Sequence, residues 1–339
     1  MAIILDASDF YLDTYTGDLE VRLFKALAAR LPGFQFLYPA KPGFSGPAAS
    51  NLQAVPFPAD RGFFQTLALQ KWLKAQNATH FISFNRTVKA NSDLRRLFII
   101  KDAAAWANEK AIKNADALGI VSSGLFNQFV KKYPEYRSKA VLLEALMAAS
   151  QATEATYDVK EKLTSGKEYF AIADFGLSRE KLTTVLKGFS AFKKRQQSNW
   201  KLLVVLRERE GLSREAAAQL VSNYKYREDV VLTDNQFFAE KIARAYTVIT
   251  LTSEEVFPSI AVEALSSRTP VAAIKTETIE NLLGAAAVYL QKADSEAIGD
   301  MLMTMYKGET FRKNLIKKMD AITYPQNLDE TAAMLLNRQ

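Results

Sequence analysis

The stretch that decides the fold is Leu251-Thr-Ser-Glu-Glu-Val-Phe-Pro-Ser-Ile-Ala-Val-Glu-Ala-Leu-Ser-Ser-Arg-Thr-Pro-Val271. The apolar run that leads into it, Tyr246-Thr-Val-Ile-Thr-Leu251, predicts a buried parallel strand. A loop with two acids and a proline follows, and a short helix is predicted to begin at about Ser259. Pro270 ends that helix, and the run Val271-Ala-Ala-Ile274 predicts the next strand. This order of strand, loop, helix and strand is typical of a parallel α/β sheet.

Two acids in this stretch are candidates for binding a ligand above the helix. Glu255 lies in the strand-to-helix loop, and Glu263 lies about one turn inside the helix. The helix N-terminus, at Ser259, carries unpaired N–H groups and a partial positive charge, which favour a phosphate. Carboxylates beside a diphosphate could accept hydrogen bonds from sugar hydroxyls. The alternative is local, because Thr252-x-x-Glu255 is also a capping-box pattern.

The same stretch resembles the retaining GT-B glycosyltransferases of glycosyltransferase family four. That family carries a segment of the form S-x-x-E-G-F-G-x-x-x-x-E-A-x-x-x-G-x-P-V. Both acids, the phenylalanine, Glu-Ala and Pro-Val match in this chain, whereas Val256, Pro258 and Arg268 stand where the family has glycines.

The resemblance implies a GT-B fold, in which two Rossmann-like, doubly wound parallel-sheet domains face a central cleft. Strands alternate with helices through both halves of the sequence, as such α/β domains require. We expect residues 1–163 to form the N-terminal acceptor-side domain and residues 164–310 the nucleotide-sugar-side domain. The helices of residues 311–339 are expected to pack back toward the N-terminal domain.

The amino-acid composition excludes several kinds of functional site. The 339 residues contain no cysteine and a single histidine, which excludes disulfides, thiol catalysis and multi-histidine metal sites. The net charge of +7 suggests attraction to anions. The basic residues are nevertheless spread along the chain, so we expect no nucleic-acid partner. The lack of cysteine and of a long apolar run predicts a cytoplasmic protein, with the inner membrane face as a peripheral location.

Two candidates come from the first half of the chain. Gly17 matches the first glycine of the family's opening loop, which approaches the donor phosphate, and Asp18 replaces the second glycine. The alternative for this pair is a helix N-cap. Lys101 ends a predicted strand, Leu97-Phe-Ile-Ile100, where many family members have a catalytic histidine. It is the candidate for contact with an anionic ligand, and the alternative is a solvated lysine.

The second half supplies the remaining candidates for the donor. In the family, the loop after the strand Tyr169–Ala173 supplies basic residues that grip the diphosphate, and Arg179 and Lys181 are of the right type. Without a gap in the alignment, the family lysine falls on Glu180 instead. After the next strands, Thr233 and Asp234 lie in the loop that reads the base in the family.

The resemblance implies retaining transfer of a sugar from a nucleotide-diphosphate sugar to an acceptor that the sequence does not identify. A cell-surface glycan or a lipid-linked saccharide is the acceptor class considered. Glu255 would contact the sugar and Glu263 the ribose, and no metal or other cofactor would be needed. The alternative is a catalytically inactive GT-B protein that binds or scaffolds an active transferase, because several family residues are replaced.

Overall fold

The structure is a computed structural model, and it describes residues 2–6, 15–40, 50–56, 63–88, 93–148, 158–174, 176–207, 211–323 and 327–337. The chain divides into two compact units. The first unit comprises residues 1–150, 255–257 and 324–339, and the second comprises residues 151–254 and 258–323. The division after residue 150 comes earlier in the chain than the predicted boundary at 163/164.

The first unit is built on a parallel sheet. Its strands are β1 Ala2–Leu5, β2 Gln35–Ala40, β3 Leu52–Pro56, β4 Ala78–Ser83, β5 Arg95–Ile100, β6 Ala117–Ile120 and β7 Ala140–Leu142. They lie in the order β3-β2-β1-β4-β5-β6-β7. The inner strands are apolar on both faces, as expected of a sheet covered by helices on each side.

Helices of the first unit cover that sheet. They are α1 Tyr15–Arg30, α2 Phe63–Ala75, α3 Glu109–Asn114, α4 Ser123–Lys132, α5 Glu144–Ala148 and the C-terminal α14 Leu328–Asn337. One apolar cluster joins Trp72 and Leu73 of α2 to Phe81 of β4 and Ile4 of β1. The Trp72 indole also donates a hydrogen bond to the Pro56 carbonyl at 2.8 Å, which ties α2 to the end of β3.

The second unit repeats the parallel α/β arrangement. Its strands are β8 Tyr169–Ala173, β9 Lys201–Val205, β10 Val230–Thr233, β11 Thr247–Thr250, β12 Val271–Ile274 and β13 Ala287–Leu290. They lie in the order β10-β9-β8-β11-β12-β13. In both sheets the chain builds outward from its first strand in one direction and then crosses to the other side. The strand order therefore reverses between β1 and β4 in the first unit and between β8 and β11 in the second.

The helices of the second unit enclose an aromatic core. They are α6 Val159–Thr164, α7 Arg179–Arg195, α8 Arg214–Ser222, α9 Phe238–Ala243, α10 Ser259–Ser266, α11 Glu277–Leu283, α12 Ser295–Lys307 and α13 Glu309–Asp320. Phe170 of β8 packs against Phe192 of α7 and Trp200. Helices α7 and α12 approach closely at Gly188, where an added Cβ would lie 2.6 Å from Ile298 Cγ2.

The predicted α/β fold with two doubly wound parallel sheets is confirmed, and one local prediction is corrected. Gly17 was placed in a loop but lies in the first turn of α1. Residues 103–114 form a 3₁₀ turn, Ala103–Ala107, followed by α3, because Asn108 caps the second piece. In the C-terminal part of the chain, α13 belongs to the second unit and α14 to the first.

Candidate functional site

A buried carboxylate marks the reversal point of the second sheet. Asp174 follows β8 directly, and its side chain is 0% exposed. It accepts a hydrogen bond from Thr250 Oγ1 at 3.0 Å and another from the Thr252 hydroxyl, both at the end of β11. Lys181 of α7 completes the group with an ion pair of 2.8 Å from Nζ to Asp174 Oδ2. Ligands of open α/β sheets bind outside the carboxyl ends of the strands at such a reversal.

The structure separates the basic candidates of α7. Lys181, not Glu180, is the residue whose side chain reaches the reversal point. Arg179 is exposed and directs Nη2 toward Gln219 Oε1 of α8 at 3.4 Å, so it contacts a neighbouring helix. Its backbone serves the helix as well, because its carbonyl accepts the Thr183 hydroxyl at 2.7 Å. The structure therefore places one of the two predicted cations at the carboxyl end of β8.

The N-terminus of α10 lies after β11, next to this reversal point in the strand order. Pro258 occupies the N-cap position, and no side chain caps the helix. Ser259, the first helical residue, is 1% exposed, and its hydroxyl has no hydrogen-bond partner among the described residues. Proline removes only the N-cap donor, so the N–H groups of the first helical turn remain. A helix terminus of this kind favours an anion.

Glu255 and Glu263, the two acids of the stretch Leu251–Val271, belong to different units. Glu263 is half-buried in α10, and its carbonyl accepts Ser267 N at 3.1 Å near the end of the helix. Glu255 is grouped with the first unit, where its carboxylate lies against Gly124 in the first turn of α4. A Cβ at Gly124 would collide with that carboxylate.

The loop after β10 is held by a buried lysine. Lys241 of α9 is 2% exposed, and its Nζ lies 2.9 Å from the Asp234 carbonyl and 3.2 Å from Asp234 Oδ1. Burial lowers the pKa of Lys241, and the carboxylate of Asp234 opposes this shift. Thr233 is buried, and its carbonyl accepts a hydrogen bond of 2.8 Å from the N–H of Leu206, the residue after β9. Thr233 is the last residue of β10 and not a loop residue as predicted, whereas Asp234 begins the loop that follows the strand.

Sequence reasoning missed two residues beside this loop. Arg207 follows β9 and is 6% exposed, and its guanidinium lies 5.5 Å from the Phe238 ring centroid. The backbone of Phe237, the residue before Phe238, is in the left-handed region, with φ 53 and ψ 39. Aromatic residues rarely adopt this conformation, so the sequence carried no signal for it.

The first unit has a comparable carboxylate at its own reversal point. Asp6 follows β1 and is buried, and Ser83 Oγ at the end of β4 donates to its Oδ2 at 2.7 Å. Arg86 adds a two-pronged contact, with Nε 2.6 Å from Asp6 Oδ2 and Nη2 on Oδ1. Lys101, predicted to contact the ligand, follows β5 and pairs with Asp102 Oδ2 at 2.5 Å. Asp102 also accepts Ala105 N at 2.9 Å, so the pair is tied to the following turn.

Two parallel-sheet α/β units of this topology define the GT-B-like class of proteins. Residues 155–320 match the family model described as Glycosyl transferases group 1. The predicted resemblance to glycosyltransferase family four is thereby confirmed. A sequence comparison with curated proteins finds no match.

Similar solved structures agree with this fold. WaaG, a glycosyltransferase involved in lipopolysaccharide biosynthesis, has a TM-score of 0.69 at 13% identity, with 100% of both chains covered. HepE from Anabaena, solved with UDP and glucose, has a TM-score of 0.64 at 12% identity, over 94% of this chain and 93% of that chain. A UDP-N-acetylglucosamine 2-epimerase has a TM-score of 0.61 at 10% identity, over 98% and 92%. At these identities the likeness shows the fold alone.

Two further findings concern metal ligands and membrane-spanning helices. No group of three or more His, Asp or Glu side chains within the described ranges is arranged to hold a metal ion. Across the helices that the structure describes, none combines the length and hydropathy needed to cross a membrane.

Proposed function

We propose that this protein is a retaining glycosyltransferase that binds a nucleotide-diphosphate sugar in its second unit. The observation that carries the proposal is the N-terminus of α10, which has no side-chain cap and holds the buried, unpartnered hydroxyl of Ser259 among the described residues. The family match over residues 155–320 favours transfer over the epimerase chemistry found on the same fold.

The diphosphate has a physical reason to bind at α10. Backbone N–H groups and the helix dipole attract negative charge without any side-chain cation. The Ser259 hydroxyl can rotate to donate to a phosphate oxygen, which would satisfy a group that is otherwise costly to bury. Because these dipoles are fixed before the ligand arrives, they also stabilise the charge of the leaving nucleoside diphosphate. In this proposal no metal is needed.

Other residues take their proposed roles from the family resemblance. Glu263 holds the ribose hydroxyls, and Glu255 holds the transferred sugar. Lys181 and Arg179 offset the charge of the diphosphate, and only Lys181 lies at the carboxyl end of β8. Lys101 contacts an anionic group. The acceptor class remains a cell-surface glycan or lipid-linked saccharide, which fits a role in polysaccharide synthesis at the inner membrane face.

The test is turnover of a panel of nucleotide sugars with UDP, GDP, ADP, CDP or dTDP as leaving group. The wild-type protein should release the nucleoside diphosphate slowly to water and faster with a suitable acceptor, and the released sugar should keep its anomeric configuration. Glu263→Ala should lower this release, whereas Glu296→Ala, an exposed acid in the first turn of α12, should not. Binding of a sugar nucleotide without release from any donor would contradict the enzymatic proposal.

The second candidate is a GT-B protein that binds a partner without transferring sugar. It is favoured by the in-chain pairing of two predicted cations, Lys181 with Asp174 and Lys101 with Asp102. A lysine that already neutralises a carboxylate offers less charge to a phosphate. Co-purification with an active transferase, together with no turnover by this chain, would support this candidate.

A further inference from the structure

The N-terminus of α4 is faced by two carboxylates instead of a capping hydroxyl. Ser122 occupies the N-cap position, but its side chain makes no capping hydrogen bond. The N–H group of Ser123, the first helical residue, donates instead to Glu144 Oε2 at 2.6 Å. The carboxylate of Glu255 lies against Gly124, the second helical residue. Negative charge is favourable there, because the first turn of a helix carries unpaired N–H groups and a partial positive charge.

The Glu255 carboxylate occupies the space that a side chain at position 124 would need. A Cβ added to Gly124 would lie 2.0 Å from Glu255 Oε2 and 2.3 Å from its Cδ. Cβ atoms do not come within 3.0 Å of such neighbours, so any other residue at 124 would displace the carboxylate by about 1 Å or more. Glycine is a poor helix former, but here its missing side chain allows the close approach of the acid.

The backbone that carries this acid is anchored in the same unit as α4. Residues 255–257 belong to the first unit, and Phe257, two residues after Glu255, is fully buried. Ser259, at the N-terminus of α10, follows Glu255 by four residues, so at most roughly 14 Å of extended chain separates the two. In a nucleotide-diphosphate sugar, the sugar is bonded directly to the diphosphate. The acid that would hold the sugar is thus fixed close in the chain to the helix that would hold the diphosphate.

We propose that Gly124 is a positioning residue for sugar transfer, because its missing side chain seats the Glu255 carboxylate at the N-terminus of α4. This inference rests on the proposed function, which assigns the transferred sugar to Glu255. An ionised carboxylate has about four acceptor sites, so it can face α4 and still accept hydrogen bonds from sugar hydroxyls. A carboxylate that is fixed before the donor arrives does not have to be oriented at the moment of reaction.

The experiment measures turnover of UDP-glucose, UDP-N-acetylglucosamine and GDP-mannose by Gly124→Ala, together with calorimetric binding of UDP and GDP. The added methyl group should displace the Glu255 carboxylate, so kcat should fall by roughly a hundredfold, as for a group misplaced by about 1 Å. Binding of UDP and GDP should not change, because neither carries the sugar. Gly33→Ala is the matched control and should keep the wild-type kcat, since a Cβ there would meet nothing within 4 Å.

Two double variants separate positioning from a purely structural role of Gly124. Glu255→Asp shortens the acid and leaves room for the methyl group, so Gly124→Ala should lower kcat much less in this background than in the wild type. Glu255→Ala removes the carboxylate altogether, so Gly124→Ala should lower the Tm of the wild-type protein but not that of Glu255→Ala. A glycine needed only for helix packing would have equal effects in each pair of backgrounds.

The outcomes distinguish this inference from the proposed function. A wild-type kcat in Gly124→Ala would overturn the positioning role and leave the proposed function intact. Equal losses of kcat in the wild-type and Glu255→Asp backgrounds, or equal losses of Tm with and without the Glu255 carboxylate, would also overturn it. Absence of turnover by the wild-type protein with every nucleotide sugar would remove both proposals.

Discussion

Helices α4 and α10 both begin at the carboxyl ends of parallel strands, but the N–H groups of their first turns are satisfied differently. In α4, Ser123 N donates to Glu144 Oε2 at 2.6 Å, so the protein supplies an anion from its own chain. In α10, no side chain caps the first turn. The hydroxyls of Ser122 and Ser259 are both buried without a partner among the described residues, so the hydroxyl alone does not distinguish the helices.

This difference indicates which of the two helix N-termini can bind an external anion. A carboxylate at α4 already satisfies an N–H group and offsets the helix dipole. At α10 no side chain satisfies the N–H groups or offsets the helix dipole, so a ligand can do so. This helix lies in the unit that carries the family match. The comparison therefore predicts that a carboxylate introduced at α10 should block the ligand, and that removing the Glu144 carboxylate from the N-terminus of α4 should affect stability only.

The largest effect is expected for Ser259→Asp, which gives α10 an anion of its own. Two like charges 4 Å apart repel by about 4 kcal/mol at an effective dielectric constant of 20. Nucleoside diphosphate binding should therefore fall by a hundredfold or more, while the helix itself tolerates the acid. Calorimetry measures the loss, and Ser266→Asp at the other end of α10 is the control. Equal binding by both variants would refute the assignment of this terminus.

The next effect concerns the buried carboxylate at the reversal point of the second sheet. Asp174→Ala removes two hydroxyl contacts and leaves Lys181 without its partner. Because Lys181 is about a third exposed, we expect a loss of about 2–3 kcal/mol in the free energy of unfolding. Urea denaturation measures it. Asp300→Ala, which breaks the exposed pair with Arg195, should cost less than about 1 kcal/mol.

Removing the Glu144 carboxylate, which accepts a hydrogen bond at the N-terminus of α4, should have a smaller effect. Glu144→Gln replaces a charged acceptor at the helix N-terminus by a neutral one, and about 1–2 kcal/mol of stability should be lost. Nucleotide binding should stay at the wild-type value. The exposed Glu135→Gln serves as control in the same urea titration. A variant that loses nucleotide binding without losing stability would contradict the contrast between the two helices.

The smallest effect is expected at Arg268, which stands where the family has glycine. Its φ of 57 is in the left-handed region, so glycine would relieve about 1 kcal/mol. The substitution also breaks an exposed pair with Asp320, worth about 0.2–1 kcal/mol. Arg268→Gly should thus be about 0.5 kcal/mol more stable than the wild type, and Arg268→Ala less stable. Thermal unfolding distinguishes them, and the reverse order would show that strain is unimportant here.

Much of the fold was predictable because buried parallel strands are short apolar runs. Tyr169–Ala173 and Val271–Ile274 were predicted with the bounds that the structure shows. The strand Leu52–Pro56 was missed, since an edge strand needs little apolar sequence and only Leu52 in it is buried. Gly17 was misplaced because its resemblance to the family loop outweighed the helical periodicity that follows.

The site was less predictable, because it depends on register and on tertiary contacts. The alignment left open whether Glu180 or Lys181 meets the ligand, and only the packing of α7 shows that Lys181 reaches Asp174. Asp174 itself gave no signal, since a lone acid after a strand is common. The left-handed conformation of Phe237 is imposed by its anchored neighbours and cannot be inferred from its residue type.

The most direct test of the account is calorimetric titration of the wild-type protein with UDP and GDP in the presence of a metal chelator. The account predicts micromolar binding of at least one of them without metal, lost in Glu263→Ala and retained in Glu296→Ala. Absence of binding by UDP, GDP, ADP, CDP and dTDP would contradict a sugar-nucleotide site in the second unit. That result would leave a GT-B-like protein whose role is to bind a partner.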